Sequence, residues 1–342
     1  MKAMLLTRLV SLRDTETPLA AAQVPIPVPG EGELLIRVST CGVCHTELDE
    51  IEGRTPPPRL PVIPGHQVVG RVVQAPPRSL FREGDRVGVA WIHSACGTCR
   101  HCREGRENLC PSFRATGRDA DGGYAEYLAV PEAFAHPLPA LFNDAEAAPL
   151  LCAGAIGYRS LRLAGLTGEE RLGLTGFGAS AHLVLKMVRH RYPGAEVFVF
   201  ARNPVEREFA RQLGAAWAGD ITEAAPVPLS AIIDTTPAWT PVLHALANLE
   251  PGGRLVINAI RKEERDREAL LSLDYVAHLW LEKQIRSVAN VTRADVAEFL
   301  ALAAEIPLRP EVTEFPLAEA NRALMELKRG GTRGAKVLRV GG

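Results

Sequence analysis

Cys96, Cys99, Cys102 and Cys110 stand at C-x2-C-x2-C-x7-C spacing within one short polar stretch. Four thiolates saturate a tetrahedral zinc ion and leave no vacancy, so this cluster predicts a structural site. Cys44, His66 and Cys152 lie far apart, each in a glycine-rich segment of its own. Two thiolates and one imidazole supply only three ligands, and a fourth position stays open for water or substrate, as in a catalytic zinc site. Such a set cancels the charge of Zn2+ and leaves a Lewis acid for the oxygen that fills the open position. Cys41 is left over.

A dinucleotide also has a candidate seat. Gly176-Phe177-Gly178-Ala179-Ser180-Ala181 reads G-x-G-x-x-A between an apolar strand-like run and a helical stretch. The first glycine permits a tight turn, the second lets backbone approach a pyrophosphate, and the helix N-terminus attracts phosphate charge. The next strand ends Phe200-Ala201-Arg202-Asn203. An NAD site usually carries Asp or Glu there for the ribose 2′-hydroxyl. Arg202 in its place can pair with a 2′-phosphate, which predicts NADP(H) in preference to NAD(H).

The elements that must hold these residues come in two textures. Through residue 150 the chain is rich in Gly and Pro, with short β-type runs at 33–39, 68–73, 86–90 and 124–130. Turn pairs such as Pro29-Gly30 and Pro64-Gly65 separate them, which predicts an irregular, mostly antiparallel β domain. Beyond that, strand and helix alternate: strands at 171–175, 196–201, 231–234 and 254–258, helices at 179–190 and 205–213 and from Thr240-Pro241. The helix at 205–213 should have Asn203 as cap, Pro204 at its first position, Glu206 completing a capping box and Gly214 past its end. Repeated β-α-β predicts a doubly wound parallel sheet. Helices at 293–305 and 317–329 and a strand at 336–340 follow. The fold class is α/β, with a β-rich domain and a Rossmann-type domain.

The 342 residues exceed one compact core and suggest two domains. A net charge of −1 supplies no field for nucleic acid. No apolar run is long enough to span a membrane. The N-terminus meets Arg8, Arg13 and Asp14 early and lacks a small-residue cleavage site, so it does not read as a signal peptide. Cysteines at metal spacing fit a reducing compartment, which predicts a cytoplasmic enzyme.

CGVCHTELD (41–49), PGHQVVGRVV (64–73), FREGDRVGV (81–89), the four-cysteine loop, DGGYAEYLAVP (121–131), LLCAGAIGYRSL (150–161) and GFGASA (176–181) occur in one order. Together they resemble the zinc-dependent alcohol dehydrogenases of the medium-chain dehydrogenase/reductase superfamily, over nearly the whole chain. The resemblance implies a GroES-like catalytic domain from residues 1–152 and 290–342, with a Rossmann dinucleotide-binding domain, 153–289, inserted between. It implies two zinc ions per chain. The catalytic one is held by Cys44, His66 and Cys152, with an alcohol, aldehyde or ketone oxygen in the open position. By the same resemblance the second cysteine of CGVC is the ligand and Cys41, a small buried hydrophobe, stays metal-free. Thr46 matches a hydroxyl that passes the alcohol proton outward. His45 and Lys336 match groups near the pyrophosphate, Trp91 and Ile92 match positions lining the substrate pocket, and a homodimer or homotetramer is implied. His93 and His101, beside the structural cysteines, read as surface residues.

Two departures bear on mechanism. Gln67 stands directly after His66, where many relatives carry Glu. If it lies behind the zinc ligands, the missing carboxylate makes the surroundings more positive and lets a coordinated alcohol deprotonate at lower pH. Asp49 stands where relatives often have the histidine that ends the proton relay. An unperturbed Asp, pKa about 3.9, is a poor base near neutrality, which favours water as the final acceptor. Residues 53–56 lack a pocket-narrowing tryptophan and permit substrates larger than ethanol. Alternatives on the same fold are a quinone or enone reductase of the zinc-independent type, which needs none of the three ligands, and a non-catalytic cofactor-binding protein. Two zinc ions per chain would favour the dehydrogenase.

Overall fold

Leu34, Ile36 and Val38 alternate with more polar residues, a period of two that buries one face of a strand. In the computed structural model, which describes residues 1–330 and 334–341, they lie inside the strand Glu33–Val43 with almost no exposure. Past Val38 the alternation ends, and Thr40, Cys41, Gly42 and Val43 are all buried. The strand therefore runs into the interior just before Cys44. Among the described residues the sheet order is Val312–Pro316, Ala335–Arg339, Glu33–Val43, Val68–Gln74, Arg86–Val89 and Ala135–Pro137, with Tyr127–Pro131 also on Glu33–Val43. These pairings are antiparallel except that of Val312–Pro316 with Ala335–Arg339. One apolar core, including Leu6, Ile36, Val68, Val89, Tyr124 and Leu324, packs around this sheet.

The chain divides into two compact units, Met1–Cys152 with Thr292–Gly342, and Ala153–Val291. In the second, continuous apolar runs such as Val197–Phe200 form strands buried on both faces, as parallel sheets require. The order is Trp217–Gly219, Glu196–Phe200, Arg171–Thr175, Leu229–Asp234, Leu249–Ile257 and Gln284–Ser287, every pairing parallel. This is the doubly wound Rossmann order, which reverses between Arg171–Thr175 and Leu229–Asp234. The fold is α/β, a β-rich GroES-like part and a parallel-sheet Rossmann-like part.

Three local expectations change. The helix Pro204–Gln212 is capped by Asn203, but through the Val205 N–H at 2.9 Å. With the cap bonded one residue earlier, Glu206 does not close a capping box, and its half-buried carboxyl is raised by that burial. The stretch 317–329 opens with a 3-10 turn, Leu317–Glu319, before the helix Ala320–Arg329. The strand expected from 124 starts at Tyr127, because Gly123 and Tyr124 donate their N–H groups to the carbonyls of Gly65 and Pro64.

Candidate active site

Three segments of the β-rich unit deliver three ligand atoms. Cys44 follows the buried end of Glu33–Val43 and caps the helix His45–Ile51. His66 follows Gly65, whose φ is +99°. A Cβ there would lie 2.4 Å from the Tyr124 ring and 2.8 Å from Cys41 Sγ, so only glycine lets the turn sit this deep. Cys152 lies in a π-helical turn, Leu150–Gly154, just after Pro149. Proline cannot donate to the carbonyl four residues back, and the helical spacing widens where that bond is missing.

Cys44 Sγ lies 3.6 Å from His66 Nε2, and Cys152 Sγ lies 3.3 Å from the same nitrogen. Zinc bonds of about 2.3 Å to sulfur and 2.0 Å to nitrogen, at tetrahedral angles, put such atoms roughly 3.5 Å apart. The three residues form one group of possible metal ligands, and Cys41 is outside it. His66 is buried, and its Nδ1 lies 2.6 Å from Glu47 Oε1, also buried. That bond assigns the proton to Nδ1 and leaves the Nε2 lone pair facing the sulfurs. Glu47 Oε2 accepts the Cys44 N–H at 2.8 Å, so one carboxylate fixes two ligands. Burial alone would push His66 down, but the Glu47 carboxylate and Cys44 sulfur beside it hold it well above the usual histidine range. Cys44 is raised by the facing Cys152 thiol and by burial. A metal-free pocket thus holds protons that a divalent cation would displace, and the donor set fits zinc.

The second group is Cys96, Cys99, Cys102 and Cys110, with Sγ separations of 3.9, 3.6 and 3.5 Å for 96–102, 99–102 and 96–110. Sulfur atoms around one tetrahedral zinc stand about 3.8 Å apart, and four thiolates leave no open position. The backbone N–H groups of Thr98 and Cys99 bring the Cys96 thiol down to about 6. Burial, then the neighbouring Cys99 thiol, pushes Cys102 up to about 12. His93 and His101 are not in this group. His93 is no surface residue: it is buried, and its Nε2 is 3.1 Å from the Ala129 carbonyl.

Thr46 is half-buried on the first turn after Cys44, and its N–H donates to Cys44 Sγ at 3.3 Å. His45 is exposed beside it. Gln67 is buried behind His66 and packs against Gly42, where a Cβ would lie 2.4 Å from its Oε1. The missing carboxylate at 67 is therefore matched by one at Glu47, which the sequence reading overlooked. An acid three residues after a ligand cysteine, at the third position of a helix, was the available signal. Asp49 is buried, its Oδ1 taking the Arg54 Nε at 2.5 Å. That ion pair closes the end of His45–Ile51 and makes Asp49 a poor last station for a proton. Trp91 and Ile92 are both buried, Trp91 stacked with Phe113 under the Arg118 guanidinium. Lys336 is buried, its ammonium 3.1 Å from Glu326 Oε2 and over the Phe315 ring.

In the Rossmann-like unit, Gly176 has φ +79° and donates its N–H to the Phe200 carbonyl at 2.8 Å. Phe177 is buried edge-on to Phe209. Gly178 caps the helix Ala179–Arg191, and a Cβ on it would meet nothing within 4 Å. Gly178 and Ala179 are both exposed, and the first N–H groups of a helix have no partner within it, the arrangement that suits a phosphate. Arg202 is exposed just past Glu196–Phe200.

Residues 30–140 match the alcohol dehydrogenase GroES-like domain family. The chain is 46% identical over 329 residues to a probable alcohol dehydrogenase AdhA of Mycobacterium tuberculosis (strain CDC 1551 / Oshkosh), covering 94% of this chain and 93% of that protein. A cinnamyl alcohol dehydrogenase of Sorghum bicolor superposes with TM-score 0.83 at 26% identity, over 99% of this chain and 97% of its own. A cobalt- and zinc-bound thermostable alcohol dehydrogenase from Pyrobaculum aerophilum does so with TM-score 0.84 at 25% identity, over 99% of both chains. Taken with the two cysteine-based ligand groups, these likenesses make the chain a member of the zinc-dependent alcohol dehydrogenases of the medium-chain dehydrogenase/reductase superfamily.

Proposed function

We propose that this alcohol dehydrogenase interconverts alcohols with aldehydes or ketones by hydride transfer to or from NADP(H), using one catalytic and one structural zinc ion per chain. The observation that carries the reading is the convergence of Cys44, His66 and Cys152 with His66 Nδ1 fixed by Glu47. Zinc bound there would supply the Lewis acidity that lowers the cost of negative charge on the alcohol oxygen. Cys44 and Cys152 balance the ion's charge, and Glu47 keeps the imidazole in the ligating tautomer. Thr46 takes the alcohol proton and hands it to water, since Asp49 is engaged by Arg54. The Gly176–Ala179 turn takes the pyrophosphate at the N-terminus of the helix Ala179–Arg191. A zinc-independent reductase would have no use for the three ligands.

Arg202, without an acid beside it on the strand end, supports NADP(H). Arg202→Ala is expected to lower kcat/KM with NADPH by about ten- to a hundredfold, the worth of a hydrogen bond to a charged group. The value with NADH should stay nearly unchanged. Assaying a panel of alcohols, aldehydes and ketones with both dinucleotides, and zinc content on the same sample, checks this. A wild-type preference for NADH would refute the NADP(H) assignment.

Gln67→Glu is expected to move the acidic limb of the kcat/KM profile up by about one pH unit, because a second carboxylate behind the ligands raises the cost of deprotonating the alcohol. An unmoved limb would show that position 67 does not sense the reacting oxygen.

We also propose a homodimer or homotetramer in the cytoplasm. Among the described residues the strand Gln284–Ser287 is an open sheet edge exposed throughout, carrying exposed Ile285 and preceded by exposed Trp280 and Leu281, which supports pairing with a second copy. All seven cysteines are free of disulfides, which supports a reducing compartment. Among the described residues no helix is long and apolar enough to cross a membrane.

A further inference from the structure

The Rossmann-like unit buries a lysine that the proposed chemistry does not use. Lys262 lies in the chain after Leu249–Ile257, its side chain nearly all covered. Its ammonium donates to Asp234 Oδ2, to the Thr236 carbonyl at 2.8 Å and to the Ala238 carbonyl at 3.0 Å. A lysine has three N–H donors, and here all three go to one stretch, 234–238. Neighbouring residues grip the same stretch. The Glu263 N–H donates to the Pro237 carbonyl at 2.7 Å. Asp266 Oδ2 accepts the Trp239 and Thr240 N–H groups, each at 2.9 Å, and the Thr240 hydroxyl at 3.0 Å. Asp234 Oδ1 takes the Thr236 N–H at 3.1 Å and its hydroxyl at 2.8 Å. Residues 262–266 thus clamp the loop that leaves the strand Leu229–Asp234.

That loop borders the glycine turn. Thr235 donates both its N–H and its hydroxyl to the Thr175 carbonyl, at 2.9 and 3.0 Å. A Cβ on Gly176 would sit 2.8 Å from Thr235 Oγ1 and 3.1 Å from Thr236 Cγ2. The loop and the turn therefore stand in contact at the carboxyl ends of two adjacent strands, where the strand order reverses. In open parallel sheets that reversal is the crevice that takes a nucleotide. Burying an ion pair is a poor source of stability in itself, because desolvation offsets most of the attraction. Two of the three lysine bonds go instead to backbone carbonyls of a loop, and such bonds dictate where the loop lies.

We infer that Lys262 is a positioning residue for the dinucleotide, holding residues 235–238 in the conformation that walls the crevice beside Gly176. This rests on the reading that the crevice takes NADP(H) or NAD(H). Lys262 need not touch the dinucleotide; it acts through Thr235 and Thr236. Without the ammonium the loop samples other conformations, and the apparent affinity falls by the fraction of time it spends outside the competent one.

The test uses zinc-loaded, full-length protein and Lys262→Met, which keeps the aliphatic stem and removes the charge. Calorimetric titration with NADPH and NADH is expected to show Kd raised about tenfold, as for a loop competent one-tenth of the time. KM for the dinucleotide should rise in parallel, while KM for the alcohol and kcat at saturating dinucleotide stay close to wild type. Lys262→Arg, retaining a cation and donors, should recover part of the affinity. The double variant Asp234→Asn, Lys262→Met no longer strands a buried carboxylate, so it should regain unfolding temperature but not affinity. Wild-type Kd in Lys262→Met, whatever its melting temperature, would make the clamp purely structural and overturn the inference. So would a double variant that regains Kd together with stability. If Lys262→Met does not fold, the double variant decides alone. A wild-type protein that binds neither dinucleotide would instead overturn the underlying functional reading, and the inference with it.

Discussion

Cys152→Ser should lower kcat/KM for alcohol oxidation by about a thousandfold or more, while the protein keeps one zinc ion per chain and nearly its full unfolding temperature. The sulfur and nitrogen atoms of Cys44, His66 and Cys152 lie close enough together to hold one ion, and serine removes one of these donors. A serine hydroxyl does not ionise near neutrality and does not replace a thiolate on zinc. The two remaining donors bind the ion far more weakly, and with it goes charge stabilisation worth several kcal/mol, which three powers of ten represent. Stability should hardly respond. Cys152 is only partly buried, in a widened turn whose backbone geometry follows Pro149 rather than the sulfur, and serine is nearly isosteric. Metal analysis, steady-state kinetics and thermal melting on one preparation read all three quantities. Near-wild-type turnover, or retention of two zinc ions, would show that Cys152 is not a ligand.

How much of this was legible from the sequence depended on how local each constraint is. The clustered cysteines sit within fifteen residues, so spacing alone restricts them to one ion. Strands buried on both faces are equally local: the run expected at 171–175 and the helix at 293–305 coincide with Arg171–Thr175 and Arg293–Glu305. The dispersed set was grouped by residue type and supported by family resemblance rather than by spacing, because three distant segments meet only through folding of the whole β-rich unit. Side-chain direction was the least legible. The spacing of Glu47 from Cys44 is a local signal for an acid near the site, but its bond to His66 depends on helix His45–Ile51 docking with its third residue towards the histidine. Resemblance alone gives Lys336 a role near a pyrophosphate, and Lys262 carries no local signal at all. Each became buried because an acid lies opposite it, Glu326 on a neighbouring helix and Asp234 at a strand end. His93 was misjudged for the same reason: its partner is the Ala129 carbonyl, supplied by a strand 36 positions away.

Cys110→Ser should have the complementary effect, also losing one zinc ion per chain but removing stability and sparing turnover. The loop from Cys96 to Cys110 contains only a one-turn helix, Arg100–Arg103, and a 3-10 turn, Glu107–Leu109, and its one large apolar residue, Leu109, is 39% exposed. A segment with so little core would be organised by a bound metal, and the free energy of binding the ion would become folding free energy. Cys110 is the buried member of the four, so its loss opens the interior side of the site. The loop also carries buried Glu107, whose Oε1 accepts the Arg293 N–H at 2.7 Å and lies 3.1 Å from the Arg293 Nε, at the start of Arg293–Glu305. Loosening the loop takes the Arg293 donors away from the buried Glu107 carboxylate, a loss of about 1.5–3 kcal/mol, which in a protein of this size lowers the unfolding temperature by roughly 2–4 °C beyond what the lost ion costs. Limited proteolysis should cut within residues 96–113 of the variant and not of the wild type. Turnover per folded molecule should persist, because Cys44, His66 and Cys152 use none of these residues. The two variants lose the same number of ions and should separate cleanly, one in rate and the other in stability. If Cys110→Ser melts with the wild type, the loop is held by its own hydrogen bonds, and the division of the cysteines into a working set and a scaffolding set would have to be redrawn.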